Sequence, residues 1–114
     1  MSLVVIKDKQ EAMRFTNGTH LVGYLSGITY NDMENSFGDP TFDPEDSGDG
    51  KVAYEWVFET KDEEVFTVYS WKVPEDYARH ILGRKGEIQF HVGGKTYAGD
   101  FIEKLTKIIG KTVG

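Results

Sequence analysis

Two neighbouring segments in the middle of the chain carry the pattern of β-strands. In residues 52–60, aromatic side chains occupy even-numbered positions and glutamates occupy two odd-numbered ones. Residues 65–73 are rich in aromatic and β-branched side chains, which favour strands. Because successive side chains of a strand point to opposite faces, these patterns predict two strands. The short acidic stretch 61–64 between them predicts a β-hairpin over residues 52–73.

The register of this hairpin decides whether its large aromatic rings share one face. A connection of even length would place Trp56 opposite Tyr69 and Tyr54 opposite Trp71, with all four rings on the same side. A connection of odd length would divide the rings between the two faces. We expect the even register, because it separates Glu55 from the aromatic side chains.

The C-terminal part of the chain has the periodicity of a helix. Five apolar residues recur with the spacing of one helical face: Phe101, Ile102, Leu105, Ile108 and Ile109. They predict an amphipathic helix over residues 97–109 that ends before Gly110. Such a stripe must be buried, and the sheet is the expected partner. A helix lying on a membrane is disfavoured, because acidic residues offset the lysines of its polar face.

Weaker patterns predict the remaining elements. Strands are expected at residues 3–6, 20–25 and 87–92, and a helix at residues 74–83. A further short helix is expected after Asn31, which can cap it together with Glu34 three residues later. Gly38 and Pro40 would end that helix.

Together these elements predict a single α+β domain covering residues 1–114. Its centre would be a mainly antiparallel sheet of four to five strands built around the hairpin 52–73. Two or three short helices and the C-terminal amphipathic helix 97–109 would complete it. So few helices cannot cover both faces of such a sheet, and we expect part of one face to stay uncovered.

Composition indicates the cellular setting. The chain of 114 residues has no cysteine, which excludes disulfides and thiolate metal sites. The longest apolar run near the N-terminus, Leu3–Ile6, is too short for a signal peptide or a membrane span. We therefore expect a soluble intracellular protein that does not act at a membrane.

The net charge of −6 is unevenly distributed. Residues 31–64 contain twelve acidic residues against two lysines, so the rest of the chain is net positive. An acidic surface repels nucleic acid and attracts basic partners, and we expect no direct binding of nucleic acid. Four acids stand together in the loop 38–50 and are candidates for such a contact: Asp43, Glu45, Asp46 and Asp49.

No motif indicates catalysis, a metal or a cofactor. The Gly-Lys-Thr of residues 94–96 resembles a phosphate loop, but Gln89 stands where that loop needs a glycine. The segment after Asp43 resembles a calcium loop, but Tyr54 stands where the bidentate glutamate should be. None of the three histidines has a partner at the spacing of a metal site or catalytic base. We expect a protein that is not an enzyme and needs no cofactor.

Several motifs, in their order and spacing, resemble a family of small proteins encoded by tailed bacteriophages. They are Gly23-Tyr24, Phe37-Gly38-Asp39-Pro40, Glu55-Trp56, Tyr69-Ser70-Trp71-Lys72 and His91-Val92-Gly93-Gly94. The resemblance covers about residues 20–100. It departs at the acidic turn, where the family commonly has Asp-Gly and this chain has Glu63-Glu64. The resemblance implies an accessory protein acting in the cytoplasm of a bacterial host, and it transfers no activity.

The first functional hypothesis is a binding protein that antagonises a bacterial host protein. The expected target is a defence nuclease or other machinery that acts on nucleic acid. We expect Trp56 and Phe58 to face the core. Besides the acids of the loop, five hairpin residues are candidates for contact: Tyr54, Glu55, Tyr69, Trp71 and Lys72.

Two other classes of function remain open. One is a protein that sequesters a nucleotide-type ligand, with the aromatic rings stacking on the base. Lys72, Lys95 or a turn at Gly93-Gly94 would then meet the phosphate, and a homo-oligomer would be needed to enclose the ligand. The other is a structural or virion-associated role.

Overall fold

The computed structural model describes residues 3–42, 52–71 and 87–110, with the backbone alone at residues 52, 53, 71 and 87–89. The predicted helix at residues 74–83 lies outside these ranges. The elements are β1 (Val4–Val5), α1 (Lys9–Thr16), β2 (His20–Thr29), α2 (Tyr30–Phe37), β3 (Val52–Glu59), β4 (Val65–Trp71), β5 (Glu87–Gly94) and α3 (Gly99–Ile109).

The five strands form one antiparallel sheet in the order β1-β3-β4-β5-β2. The predicted α+β domain, with its central hairpin and its C-terminal helix, is confirmed. Within the described ranges, no helix is long and apolar enough to cross a membrane.

Helix α1 is an element that the sequence pattern does not predict. Its residues are mostly polar, and Ala12 is its one buried residue. The Asp8 carboxylate caps it by accepting a hydrogen bond from the Glu11 backbone N–H at 3.0 Å. Ala12 and the partly buried Phe15 attach the helix to the sheet, so a small apolar contact is enough to hold it.

Helix α2 begins earlier than expected. Thr29 caps it, because its hydroxyl accepts from the Asp32 N–H at 3.0 Å while the Asp32 carboxylate accepts from the Thr29 N–H at 2.9 Å. The predicted cap at Asn31 with Glu34 is therefore wrong, since this reciprocal box two residues earlier closes the helix first. Its end at Gly38 is as predicted, with a positive φ of 79°.

The register of the β3–β4 hairpin is the odd one, and the predicted even register is wrong. Trp56 pairs with Val68 instead of Tyr69, and Glu55 pairs with Tyr69. The cause is the turn, in which the Glu63 N–H donates to the Thr60 carbonyl at 3.0 Å. Glu63 then adopts a left-handed conformation with φ of 64°, as in three-residue hairpin loops that end in a bulge.

This register sends the rings of the hairpin to opposite faces of the sheet. On the first face, Trp56 and Phe58 are fully buried, as predicted, and Tyr54 is buried beside them. Helices α2 and α3 cover this face. Phe101 of α3 stacks on Phe66 with ring centroids 4.6 Å apart, and the Trp56 indole N–H donates to the Gly38 carbonyl at 3.0 Å.

The second face has a smaller apolar cluster at one corner. Ile6, Ala12 and Val57 are buried there, and Phe15 and Val65 pack against them. Helix α1 thus covers the end of β3 and β4 that is nearest to the turn.

A short segment after α2 extends β1 along the outer edge of β3. The Thr41 hydroxyl accepts from the Val57 N–H at 3.2 Å and donates to the Ile6 carbonyl at 2.7 Å. Phe42 and Glu55 then exchange two backbone hydrogen bonds of 3.0 Å each. Both sides of β3 are therefore paired next to Glu55.

The left-handed conformation of Glu63 gives a test of the hairpin turn. Glycine adopts positive φ without the steric penalty of a side chain, so Glu63→Gly should raise the free energy of unfolding by about 1 kcal/mol. Chemical denaturation measures it. Asp62→Gly removes the same charge from an exposed neighbour that lacks a positive φ, and it should lower stability instead. Equal effects of the two substitutions would contradict this turn.

Candidate functional site

Four polar or aromatic residues form a row across the second face of the sheet. Glu55 of β3 pairs with Tyr69 of β4, Tyr69 pairs with His91 of β5, and His91 pairs with Tyr24 of β2. Directly paired residues of antiparallel strands share a face and have Cβ atoms about 5 Å apart. We call these four residues the cross-strand row. It lies beyond the Val57–Thr67 pair, on the side away from the hairpin turn.

The rings of the row are in contact. His91 lies between the two tyrosines, with ring centroids 5.0 Å from Tyr24 and 5.5 Å from Tyr69, both edge to face. Tyr24 is 51% exposed, and Tyr69 and His91 are partly buried. Leu21, which pairs with Gly93 directly before the bulge that precedes Tyr24, is also exposed. This part of the sheet therefore has exposed aromatic surface.

Glu55 is the unusual member of the row. Burial raises the pKa of its carboxyl from 4.5 to about 7, and a hydrogen bond from the Thr67 hydroxyl opposes part of that rise. Thr67 itself is buried. A carboxyl with this pKa changes its charge near neutral pH, which an exposed glutamate does not do.

The two rings nearest to Glu55 respond to the same environment. Burial raises the pKa of the Tyr69 hydroxyl, and the negative charge of Glu55 adds to that rise, followed by Tyr24. Burial also lowers the pKa of the His91 ring. Both changes favour the neutral form of the side chain, whereas the charge of Glu55 changes near neutral pH.

Gly93 makes room for the hydrogen bond to Glu55. It lies in β5 opposite Thr67, and a Cβ atom at this position would be 2.7 Å from the Thr67 hydroxyl oxygen. That separation is too short for any side chain. Gly93 and Gly94 are both strand residues, so the turn that the sequence suggested for binding phosphate is not formed here.

The structure divides the hairpin residues that were predicted as contacts. Glu55 and Tyr69 come together in the row. Tyr54 belongs instead to the core, 9% exposed and with its ring 4.5 Å from that of Tyr30, so it is not available as a surface contact. Alternation along β3 is the reason, because Tyr54 shares the face of Trp56 and Phe58, which lies under the helices. The other candidates lie outside the described side chains: Trp71, Lys72, Asp43, Glu45, Asp46 and Asp49.

Sequence reasoning did not select Tyr24, Thr67 and His91. The alternation of β5 does put His91 on the polar side of a half-buried strand. The adjacency of β5 to both β4 and β2 is a long-range property, however, and no local pattern indicates it. The row can be recognised only once the strand order is known.

A concave region lies between the hairpin turn and α3. It has a volume of about 280 Å³ and is lined by Thr60, Asp62, Glu64, Phe66, Thr96, Tyr97, Asp100, Phe101 and Lys104. Its carboxylates are on exposed residues, and the Thr96 hydroxyl donates to Glu64 at 2.9 Å. In the described parts of the chain, no three acidic or histidine side chains are grouped to hold a metal ion. The cross-strand row is therefore the better candidate.

Comparisons with protein-family models, with curated proteins and with solved structures find no match to this chain.

The pKa of Glu55 predicts how stability depends on pH. Between pH 4.5 and 7 the folded protein retains a proton on Glu55 that the unfolded chain releases, so raising the pH favours unfolding. At about 1.4 kcal/mol per pKa unit, this group should lower the free energy of unfolding by up to about 3 kcal/mol across that window. Denaturation in urea at several pH values should show the fall in the wild type.

Glu55→Gln should remove this contribution, because the amide does not titrate. The control is Glu59→Gln, the same substitution four residues further along β3, which leaves Glu55 in place and should retain the fall. A Glu55→Gln protein with the same pH dependence as the wild type would contradict the burial of an uncharged carboxyl.

The close approach of Gly93 to Thr67 predicts a coupled pair of substitutions. Gly93→Ala should lower the free energy of unfolding by about 1–3 kcal/mol, as overpacking does. In a Thr67→Ala background the loss should be smaller, because the oxygen that the new methyl group meets is absent. A double-mutant cycle measures the difference, and a cost that Thr67→Ala leaves unchanged would speak against this contact.

Proposed function

We propose that the protein acts by binding, without catalysis, and that it antagonises a protein of a bacterial host. The cross-strand row is the observation that carries the proposal: exposed aromatic surface of Tyr24 and partly exposed His91 and Tyr69 lie beside a carboxyl on one sheet face. Rigid strands hold these side chains, so binding to them requires little ordering of the protein.

The chemistry of the row suits a protein partner. Tyrosine is enriched among the residues that contribute most to protein interfaces, because it offers a large apolar area and a polar tip. Tyr24, His91 and Leu21 offer such area to a partner, and covering the neutral forms of Tyr69 and His91 buries no charge. The net charge of −6 favours a basic partner.

The host setting rests on a separate argument. The motifs that resemble those of small tailed-bacteriophage proteins suggest action in the cytoplasm of a bacterium. A target that itself binds nucleic acid would present the basic surface that this acidic protein attracts. A defence nuclease is one class of target with that property.

Of the two features that the nucleotide-binding alternative needs, aromatic rings and a turn for phosphate, only the rings are found. Its rings are present in the row, but Gly93 and Gly94 lie within β5 and do not form a turn for phosphate. A thermal-shift panel of cyclic nucleotides and NAD derivatives distinguishes the two proposals, since a ligand of the native state must raise the melting temperature. A shift with any of them would favour the alternative.

Capture of partners from bacterial lysate tests the proposal when three proteins are compared. Immobilised wild type, Tyr24→Ala and Tyr97→Ala are used, because Tyr97 is 85% exposed and lies outside the row. A true partner should be captured by the wild type and by Tyr97→Ala. With the purified partner, Tyr24→Ala should weaken binding about tenfold or more, as expected for a residue that contributes strongly to an interface.

The salt dependence is a second readout of the same experiment. Capture should weaken as ionic strength rises, because salt screens the attraction between an acidic protein and a basic partner. No partner at low salt, or a partner that Tyr24→Ala binds as tightly as the wild type, would overturn the proposal.

A further inference from the structure

The turn between α1 and β2 contains an asparagine that is followed directly by a glycine. Asn17 is the residue after the last turn of α1, and β2 begins shortly afterwards at His20. Asn17 and Gly18 are both exposed, so water reaches the side-chain amide and the peptide bond that follows it. Glycine has no side chain to shield its backbone nitrogen, and the amide of Asn17 therefore stands next to an accessible nucleophile.

The chemistry of such a pair is an intramolecular acyl transfer. The backbone nitrogen of Gly18 attacks the side-chain carbonyl carbon of Asn17 and closes a five-membered succinimide ring. The bond from that carbon to the amide nitrogen breaks, and ammonia leaves with the proton that the Gly18 N–H has lost. Water then opens the ring at one of its two carbonyl carbons. The product is an aspartate at position 17, or an isoaspartate whose main chain runs through the former side chain.

The hydrogen bonds of the turn leave both reacting groups unengaged. Asparagine side chains at such positions commonly bond to nearby backbone groups. In the parts of the chain that the structure describes, however, the Asn17 amide has no hydrogen-bond partner and the Gly18 N–H has no acceptor. At Asn17 only the backbone N–H is used, which donates to the Arg14 carbonyl at 3.4 Å. The amide therefore stabilises neither the helix end nor the turn.

Ring closure requires a local change of this turn and no more. The extended ψ of 124° at Asn17 directs the Gly18 nitrogen away from the side chain, so rotation about that bond must come first. Thr19 closes the turn with two hydrogen bonds to the Thr16 carbonyl, from its N–H at 3.0 Å and its hydroxyl at 2.8 Å. Opening an exposed turn costs far less free energy than unfolding a sheet, and a folded molecule can thus reach the reactive geometry.

The other two asparagines of the chain are controls within the same molecule. Asn31 and Asn35 both lie in α2, and neither is followed by a glycine. The Asp32 N–H, whose nitrogen would attack Asn31, donates to the Thr29 hydroxyl at 3.0 Å. Helix α2 must therefore open before either of these amides can form a ring.

We propose that Asn17-Gly18 is a site of spontaneous deamidation in the folded protein, which proceeds through the succinimide without an enzyme. The conversion adds a negative charge to the turn. In the isoaspartate product it also adds one carbon to the main chain between α1 and β2, the strand that carries Tyr24. The site does not depend on partner binding, so this proposal and the proposed function can fail separately.

Ageing of the purified protein tests the site. The folded chain is incubated at physiological temperature and slightly alkaline pH, and digested with trypsin at intervals. The tryptic peptide 15–51 contains all three asparagines, so fragmentation in the mass spectrometer locates each amide that has become an acid. Position 17 should convert at least about tenfold faster than positions 31 and 35, which are held in a helix. A protein isoaspartyl methyltransferase should label the aged protein, because isoaspartate is one of the products.

Two substitutions and an unfolded reference make the result decisive. Asn17→Gln keeps an amide but needs a larger ring, and it should abolish the conversion at position 17. Gly18→Ala should slow it by shielding the nitrogen, and circular dichroism checks the fold because the φ of 85° disfavours alanine. The same chain unfolded in urea gives the rates without structure. If position 17 converts in urea but not in the folded protein, or no faster than positions 31 and 35 when folded, the proposal is wrong.

Discussion

The register of the β3–β4 hairpin is the constraint on which the rest of the structure depends. Side chains alternate along a strand, so a shift of one residue would move every side chain of β4 to the other face relative to β3. The left-handed Glu63 sets this register. It brings Phe66 under α3 and leaves Tyr69 beside Glu55, so core and candidate site follow from the same turn.

Consecutive glycines in β5 serve these two faces separately. Gly93 gives space to the Thr67 hydroxyl on the second face, whereas a Cβ atom on Gly94 would lie 2.8 Å from the Phe66 ring on the first. Gly93 therefore allows the polar contact of Thr67 with Glu55, whereas Gly94 allows Phe66 to stack on Phe101. A motif that looks like a flexible loop in the sequence is a place of close packing.

The parts of the fold that could be predicted are those with a local signature. The stripe of α3 and the alternation of β3 depend on the residues of one segment, and both are confirmed. The hairpin register could not be predicted, because a glutamate in a left-handed conformation has no mark in the sequence. Helix α1 is held by a contact of Ala12 and Phe15 with distant strands, and its own polar residues do not indicate it.

The residues of the candidate site also differ in whether a local sequence pattern could predict them. Glu55 and Tyr69 were selected from the hairpin, but the expected even register placed them on opposite faces, whereas the structure pairs them on the same face. Tyr24 and His91 join the row through pairings between strands far apart in sequence. Such pairings are settled by the packing of the whole sheet and not by any short segment.

The Thr41 hydroxyl has a consequence for how the molecule behaves in concentrated solution. By bridging Ile6 and Val57 it joins two short segments into one cover over the outer edge of β3. Uncovered strand edges recruit strands of other molecules, and proteins that leave them long and regular tend to aggregate. Strand β2, at the opposite end of the sheet, is interrupted by two register shifts. Such irregularity makes it a poor template for a strand of another molecule. The sheet thus ends in a two-residue strand on one side and an irregular strand on the other, and both features disfavour pairing with strands of other molecules.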